Sequence, residues 1–171
     1  ENNVEKSKPL FEWCRQTNTR ILYASSSAVH EWWINPYAIT KKVNEVQAPP
    51  NSVGMRFFNV WAEKDSRSDM LYRMLQENTA KYLTRHRRDW IHVHDVARAI
   101  CFLMPDKFRG VIDVGTGKTT SVLELAEKMG KGHLPIKEDT PGERDETCAD
   151  TTELTKLGWH PTINILDFAS P

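Results

Sequence analysis

The sequence predicts an α/β fold, a mostly parallel sheet covered by helices on both faces, with a smaller carboxyl-terminal lobe. Two observations carry this. Apolar residues recur alternately at helical spacing and as short runs of strand length, and strands alternating with helices make a parallel sheet buried on both faces. From about residue 115 the strand signals thin and turns multiply. That part reads as a lobe on the carboxyl ends of the strands, where open α/β sheets bind ligands.

Each element has its own signal. Residues 4–16 place Leu10, Phe11 and Cys14 on one side of a helix, and 20–24 is a short apolar run, hence a buried strand. Pro36 suits the first turn of a helix over 36–47, which Ala48-Pro49-Pro50-Asn51 ends. Strands are expected over 52–58, 90–93 and 110–114, and a helix of mixed surface over 69–80. Asp95 reads as the cap of a helix over 96–104, and Thr120 or Ser121 as the cap of one over 122–129, with Glu124 in its first turn. Short helices over 152–157 and 163–168 close the chain.

Composition narrows the function classes. With Lys plus Arg at 23 and Asp plus Glu at 23, the net charge is zero, which argues against nucleic acid and anionic membranes as partners. No apolar run approaches the length of a span. Cys14, Cys101 and Cys148 show no metal spacing. They read as free thiols of a reducing, cytoplasmic compartment, and no metal is expected. The chain opens on Glu1 rather than Met and so reads as a fragment or a processed piece.

Chemistry concentrates between residues 25 and 41. Tyr37 and Lys41, at i and i+4, share one helix face. An ammonium beside a phenol favours the phenolate, and a phenol so tuned moves protons near neutral pH. The same spacing also occurs on ordinary amphipathic helices. Ser25-Ser26-Ser27 follows the first strand, where hydroxyls face the ligand crevice; a serine-rich turn is the plainer reading. Trp32 and Trp33 read first as core or interface aromatics, and second as a stacking platform for a base or sugar. Arg85-His86-Arg87-Arg88 reads as a solvated basic turn, and Gly115-Thr116-Gly117-Lys118-Thr119 lacks the leading glycine of a P-loop.

The order of motifs is more specific than any one of them. Asn2-Asn3-Val4 precedes the serine cluster, and Asn35-Pro36-Tyr37 with Lys41 follows it. Then come Arg56-Phe57-Phe58-Asn59-Val60, Arg88-Asp89-Trp90-Ile91-His92-Val93, Val114-Gly115-Thr116-Gly117, Ala149-Asp150 and Leu157-Gly158-Trp159. Over almost the whole chain this series resembles the NAD-dependent epimerase/dehydratase family of extended short-chain dehydrogenase/reductases. The resemblance implies a partial Rossmann-type parallel sheet with a small carboxyl-terminal substrate lobe. Residues 1–114 would be the carboxyl-terminal half of the Rossmann-type domain with inserted substrate-lobe segments, and 115–171 mainly the substrate lobe.

The resemblance also implies roles. Tyr37 would be the general acid/base, Lys41 would hold the nicotinamide ribose and tune Tyr37, and Ser26 would be the catalytic serine. Asn3 and Ser25 would serve the cofactor side, with Asn3 organising the proton relay. Asn59, Arg88 and Arg144 would hold the substrate diphosphate, a task for which a guanidinium forks well. The cofactor would be NAD, with NADP left open, the substrate a nucleotide-diphosphate sugar, and the assembly a homodimer.

This sequence departs from the family pattern in places. The amino-terminal glycine turn that binds the cofactor pyrophosphate is absent among its eight glycines. The sheet is then expected to carry an open edge. The family's Tyr-Gly after the valine is His30-Glu31, the loop to Asn35 is short, and the spans 41–56 and 59–88 are compressed. Dehydratases of the family place an Asp-Glu pair where this chain has Ser27 and Ala28. The resemblance therefore implies an epimerase, a nucleotide-sugar oxidation and reduction at one carbon. A non-catalytic remnant serving as a binding or assembly module is the alternative.

Overall fold

The computed structural model describes residues 3–64, 70–138 and 141–170. Its centre is a parallel three-stranded sheet in the order β1 (Ile21–Ser26), β2 (Ser52–Phe57), β5 (Gly110–Val114). The register pairs Ala24 with Met55 and Met55 with Ile112, so the carboxyl ends of all three strands lie together. β2 is central, and Ser52, Val53, Gly54 and Met55 are buried. Gly54 has a specific reason: a Cβ there would come within 2.4 Å of the Tyr23 hydroxyl, whose ring lies across it. β1 is an outer strand of this sheet, with Ala24 exposed.

Helices cover both faces. α1 (Lys8–Gln16) buries Phe11 and Cys14, and Phe11 packs edge-on against Tyr23 at 5.3 Å. α2 (Pro36–Gln47) lies beside it in sequence order, after a 3₁₀ segment, Ser27–Ile34. α4 (Val93–Leu103) buries Val96, Ala99 and Leu103 in a cluster with Val53, Met55, Ile112 and Val114. α6 (Thr152–Leu157) adds Leu154 to that cluster. Among the described residues no helix is long and apolar enough to cross a membrane.

A second sheet is built on β4 (Arg87–His92). It pairs in parallel with β3 (Asn59–Trp61) and β7 (Glu146–Thr147), and antiparallel with β6 (Thr119–Ser121). Trp61 and Trp90 join Tyr72 and Leu75 of α3 (Leu71–Gln76) and Val122 and Leu125 of α5 (Val122–Lys128) in a separate core. Trp90 and Ile91 are adjacent, and strand alternation sends them to the two different cores.

Several expectations need correction. Helix α1 begins at Lys8, because residues 3–7 form turns leading to Pro9 in the first helical turn. The first strand runs on through Ser25 and Ser26, so only Ser27 follows it. α3 is shorter than 69–80, and Asp69 lies outside the described residues. α4 begins at Val93, capped by the His92 ring accepting from the His94 amide. Asp95 is not the cap: it is buried, and accepts from the Thr162 and Ile163 amides at 2.9 and 3.0 Å. Tertiary partners outbid local capping there.

Candidate functional site

The Tyr37 helix is positioned by its first turn. Asn35 is extended, and its side chain accepts from the Ala38 amide at 2.8 Å, while Pro36 supplies the fixed φ of the first position. Tyr37 is thereby held at the helix start with 51% of its surface exposed. One turn on, the Lys41 ammonium lies 5.8 Å from the centre of the Tyr37 ring and donates to the Ala24 carbonyl at 3.0 Å. Burial pushes the Lys41 pKa down from its ordinary value. The bond to Ala24 ties the helix to the outer strand, which carries both serines. Asn3 joins the same helix, donating to the Thr40 hydroxyl at 3.1 Å, and that hydroxyl donates to the Tyr37 carbonyl at 2.7 Å.

Strand alternation separates Ser25 from Ser26. Ser25 is 4% exposed and donates to the Glu45 carboxylate at 2.6 Å. It is therefore committed beneath α2. Ser26 is half-buried, and its oxygen accepts from the Ala28 amide at 3.3 Å, starting the 3₁₀ segment. Its own proton has no acceptor among the described residues. Glu45 also takes a fork from Arg56, 2.8 Å on each arm, and the Arg56 pKa is raised chiefly by that bond. Burial, then Glu45, pushes Tyr23 up to about 12.

His30 was given no role from the sequence. Its Nε2 sits 2.9 and 3.0 Å from the two oxygens of buried Asp113. Asp113 also accepts from the Asp150 amide at 3.2 Å. The pair stitches the 3₁₀ segment to β5. The signal was available in the replacement of the family's Tyr-Gly by His30-Glu31.

Asn59 and Arg88 come together on the second sheet. Asn59 is paired with Trp90, and Arg88 lies two residues before Trp90, hence on the same face. Both line a cavity of about 390 Å³ with Leu71, Tyr82, Trp90 and Glu143. Arg88 is 9% exposed, and its guanidinium donates to the Arg87 and Asp145 carbonyls at 3.1 Å each and to Glu143 at 3.3 Å. Burial lowers its pKa, against the pull of Glu143. Arg144 is elsewhere: its Nε is 3.1 Å from Glu31, and its Nη1 donates to the Ser27 carbonyl at 3.5 Å. It flanks the 3₁₀ segment and does not line that cavity.

Asp89 was also given no role from the sequence. It is fully buried and accepts from the Thr116, Gly117 and Ala149 amides and the Thr116 hydroxyl at 2.7 to 3.1 Å. Trp32 and Trp33 are not core: they are 42% and 63% exposed. A further cavity of about 480 Å³ between β6 and residues 161–166 is lined by none of the expected site residues. Among the described residues no cluster of three metal-ligating side chains exists, and the three cysteines are free.

Comparisons with known proteins agree with this architecture. Residues 1–115 match the sequence model of the NAD dependent epimerase/dehydratase family. An ADP-L-glycero-D-manno-heptose-6-epimerase of Alkalilimnicola ehrlichii is 25% identical over 212 residues, covering 97% of this chain and 66% of that protein. The Bordetella bronchiseptica enzyme WbmG, solved with NAD and UDP, superposes with a TM-score of 0.79 at 16% identity, over 96% of this chain and 62% of its own. The UDP-glucuronic acid 4-epimerase of Bacillus cereus, solved with UDP-glucuronic acid and NAD, gives 0.79 at 22% identity, over 96% and 64%. At these identities the superpositions establish the Rossmann-type fold. The chain spans less than two thirds of the length of these relatives.

Proposed function

This chain belongs to the NAD dependent epimerase/dehydratase family, and from that premise we propose that it supplies the proton-transfer and substrate-holding groups of a nucleotide-sugar epimerase. The observation that carries the reading is the Tyr37–Lys41 pair, with the ammonium 5.8 Å from the phenol ring and anchored to the Ala24 carbonyl.

The residues fit the nicotinamide-ribose end of NAD. Lys41 spends one of its three N–H bonds on Ala24, which leaves two for ribose hydroxyls beside a half-exposed tyrosine. NAD, when bound, supplies the hydride acceptor and donor at the sugar carbon. Tyr37 Oη takes the proton of the sugar hydroxyl as that carbon is oxidised, and returns it when the carbon is reduced. Lys41 stabilises the phenolate form of Tyr37 that precedes the first transfer and is restored by the second. Ser26, with its hydroxyl proton uncommitted, hydrogen-bonds the same substrate oxygen. Asn3 acts through Thr40 to hold the Tyr37 turn. Ser25 braces Glu45 below the cofactor side rather than touching it directly.

Asn59 and Arg88 hold the substrate diphosphate in the 390 Å³ cavity, with Arg144 contributing from the 3₁₀ side. Residues 115–171 act mainly as the wall of that substrate site, through Glu143 and Val122. The assembly is a homodimer packed through α1 and α2, on which Leu10, Trp13 and Val46 are 50%, 53% and 73% exposed. Sedimentation that finds only monomer at micromolar concentration rejects the dimer.

The activity is tested with Tyr37→Phe. The variant is expected to lose about 10²–10⁴-fold in epimerase turnover, with NAD binding, read by fluorescence, kept within a few-fold. A variant with undiminished turnover removes Tyr37 from the proton transfer. A well-folded full-length protein that binds no NAD removes the enzyme reading.

A further inference from the structure

Trp32 and Trp33 are exposed on a backbone that is held at several points. Ser26 caps the start of the 3₁₀ segment, and Asn35 caps the helix that follows it. In between, Glu31 pairs with Arg144 at 3.1 Å. Glu31 itself is non-helical, with φ −128° and ψ 56°, so the segment breaks into two halves. The first half buries Val29, and the second presents the two indoles, which meet edge to face with centroids 6.0 Å apart. Large aromatics 42% and 63% exposed on a pinned turn are a surface built for contact.

Their place in the molecule says what the contact is. Arg88 pairs with Glu143 at 3.3 Å, and the next residue, Arg144, pairs with Glu31, the residue before Trp32. Two charged pairs on adjacent residues of one segment therefore tie the Arg88 cavity and the aromatic turn to the same stretch of chain. The far end of that turn is Asn35, the cap of the Tyr37 helix. A ligand with its diphosphate at Arg88 and its reacting hydroxyl at Tyr37 carries its sugar along the turn between them.

We propose that Trp33, held at a steep angle to Trp32, stacks on the apolar C–H face of the hexose in a nucleotide-diphosphate hexose. This rests on the nucleotide-sugar reading above and adds the group that grips the sugar. Ring C–H bonds carry partial positive charge and are attracted to the negative face of an indole. An epimerase must present both faces of a transient ketone to one hydride donor. A flat apolar platform holds a ring that turns over, whereas directional hydrogen bonds fit one orientation only.

The test is calorimetric binding of UDP, ADP and GDP, and of UDP-glucose, ADP-glucose and GDP-mannose, to the wild-type chain and to Trp32→Ala, Trp33→Ala and Trp33→Phe. For the nucleotide that binds, Trp33→Ala is expected to lower hexose-conjugate affinity about tenfold and to leave diphosphate affinity within about twofold. That unchanged diphosphate binding also certifies the fold. Trp33→Phe should recover most of the loss, and Trp32→Ala should show a smaller one. Undiminished conjugate affinity in Trp33→Ala overturns the proposal, as does an equal loss for diphosphate and conjugate, which would place the base on the indole. A wild-type protein that binds none of the six overturns the nucleotide-sugar reading itself, and this proposal with it.

Discussion

Two regions of the molecule bury carboxylates by opposite means. Around the three-stranded sheet, side chain answers side chain: Glu45 takes the Arg56 fork and Asp113 takes His30, with an Arg56 arm at 3.8 Å. Around β4, backbone does most of the answering. Asp89 is satisfied by three amides and one hydroxyl with no cation among the described residues, and Asp95 by two amides and a hydroxyl together with Arg98. The first arrangement fixes how side chains point beneath the Tyr37 helix. The second fixes the path of the chain, because Asp89 joins residues 116, 117 and 149, and Asp95 joins 162 and 163. The surroundings of the Tyr37 helix are thus oriented by ion pairs, and the surroundings of β4 are closed by staples.

Urea unfolding of paired variants breaks or sharpens this contrast. Asp89→Ala leaves the Thr116, Gly117 and Ala149 amides without their acceptor in a fully buried place. A loss of about 4 kcal/mol is expected, from roughly 1–3 kcal/mol per orphaned group. No second side-chain change repairs it, since the donors are backbone. Arg56→Met should cost about 3 kcal/mol by leaving Glu45 buried and unpaired, and adding Glu45→Leu should restore most of it. If the double variant stays as unstable as Arg56→Met, the two regions do not differ in kind.

The same contrast explains what the sequence made legible. α2, β5 and α6 have the boundaries that spacing, Pro36 and Gly110 implied, because their signals are local. Tyr37 and Lys41 sit one turn apart for the same reason. By contrast β6 and β7 are three- and two-residue strands that exist only as partners of β4, so no periodicity announced them. Asp95 carries the local signature of a cap, and its burial against Thr162 came from 67 residues away. Asn59 and Arg88 were found through motif order, and their shared cavity required the register of β3 on β4. Trp32 and Trp33 have the composition of core residues, and only the kink at Glu31 shows why they stay outside. Local chemistry was readable, and chemistry assembled across sheets was not.

The smallest expected effect is a dependence on pH. Burial by itself would raise the Asp95 pKa, but the amides of Thr162 and Ile163, the Thr162 hydroxyl and Arg98 together hold it below the ordinary value. Its folded pKa therefore lies under its unfolded one. Between the two, the unfolded chain binds more protons, so stability rises with pH across that window. The contribution of Asp95 is complete above about pH 4, the unfolded value, and is lost as pH falls through the folded value. Urea midpoints measured between neutral pH and about pH 3 should decline less steeply for Asp95→Asn than for the wild type. Identical slopes would mean that the charge on Asp95 is not what the Thr162 and Ile163 amides recognise. The staple would then work through hydrogen-bond geometry alone, and the contrast between the two regions would rest on Asp89.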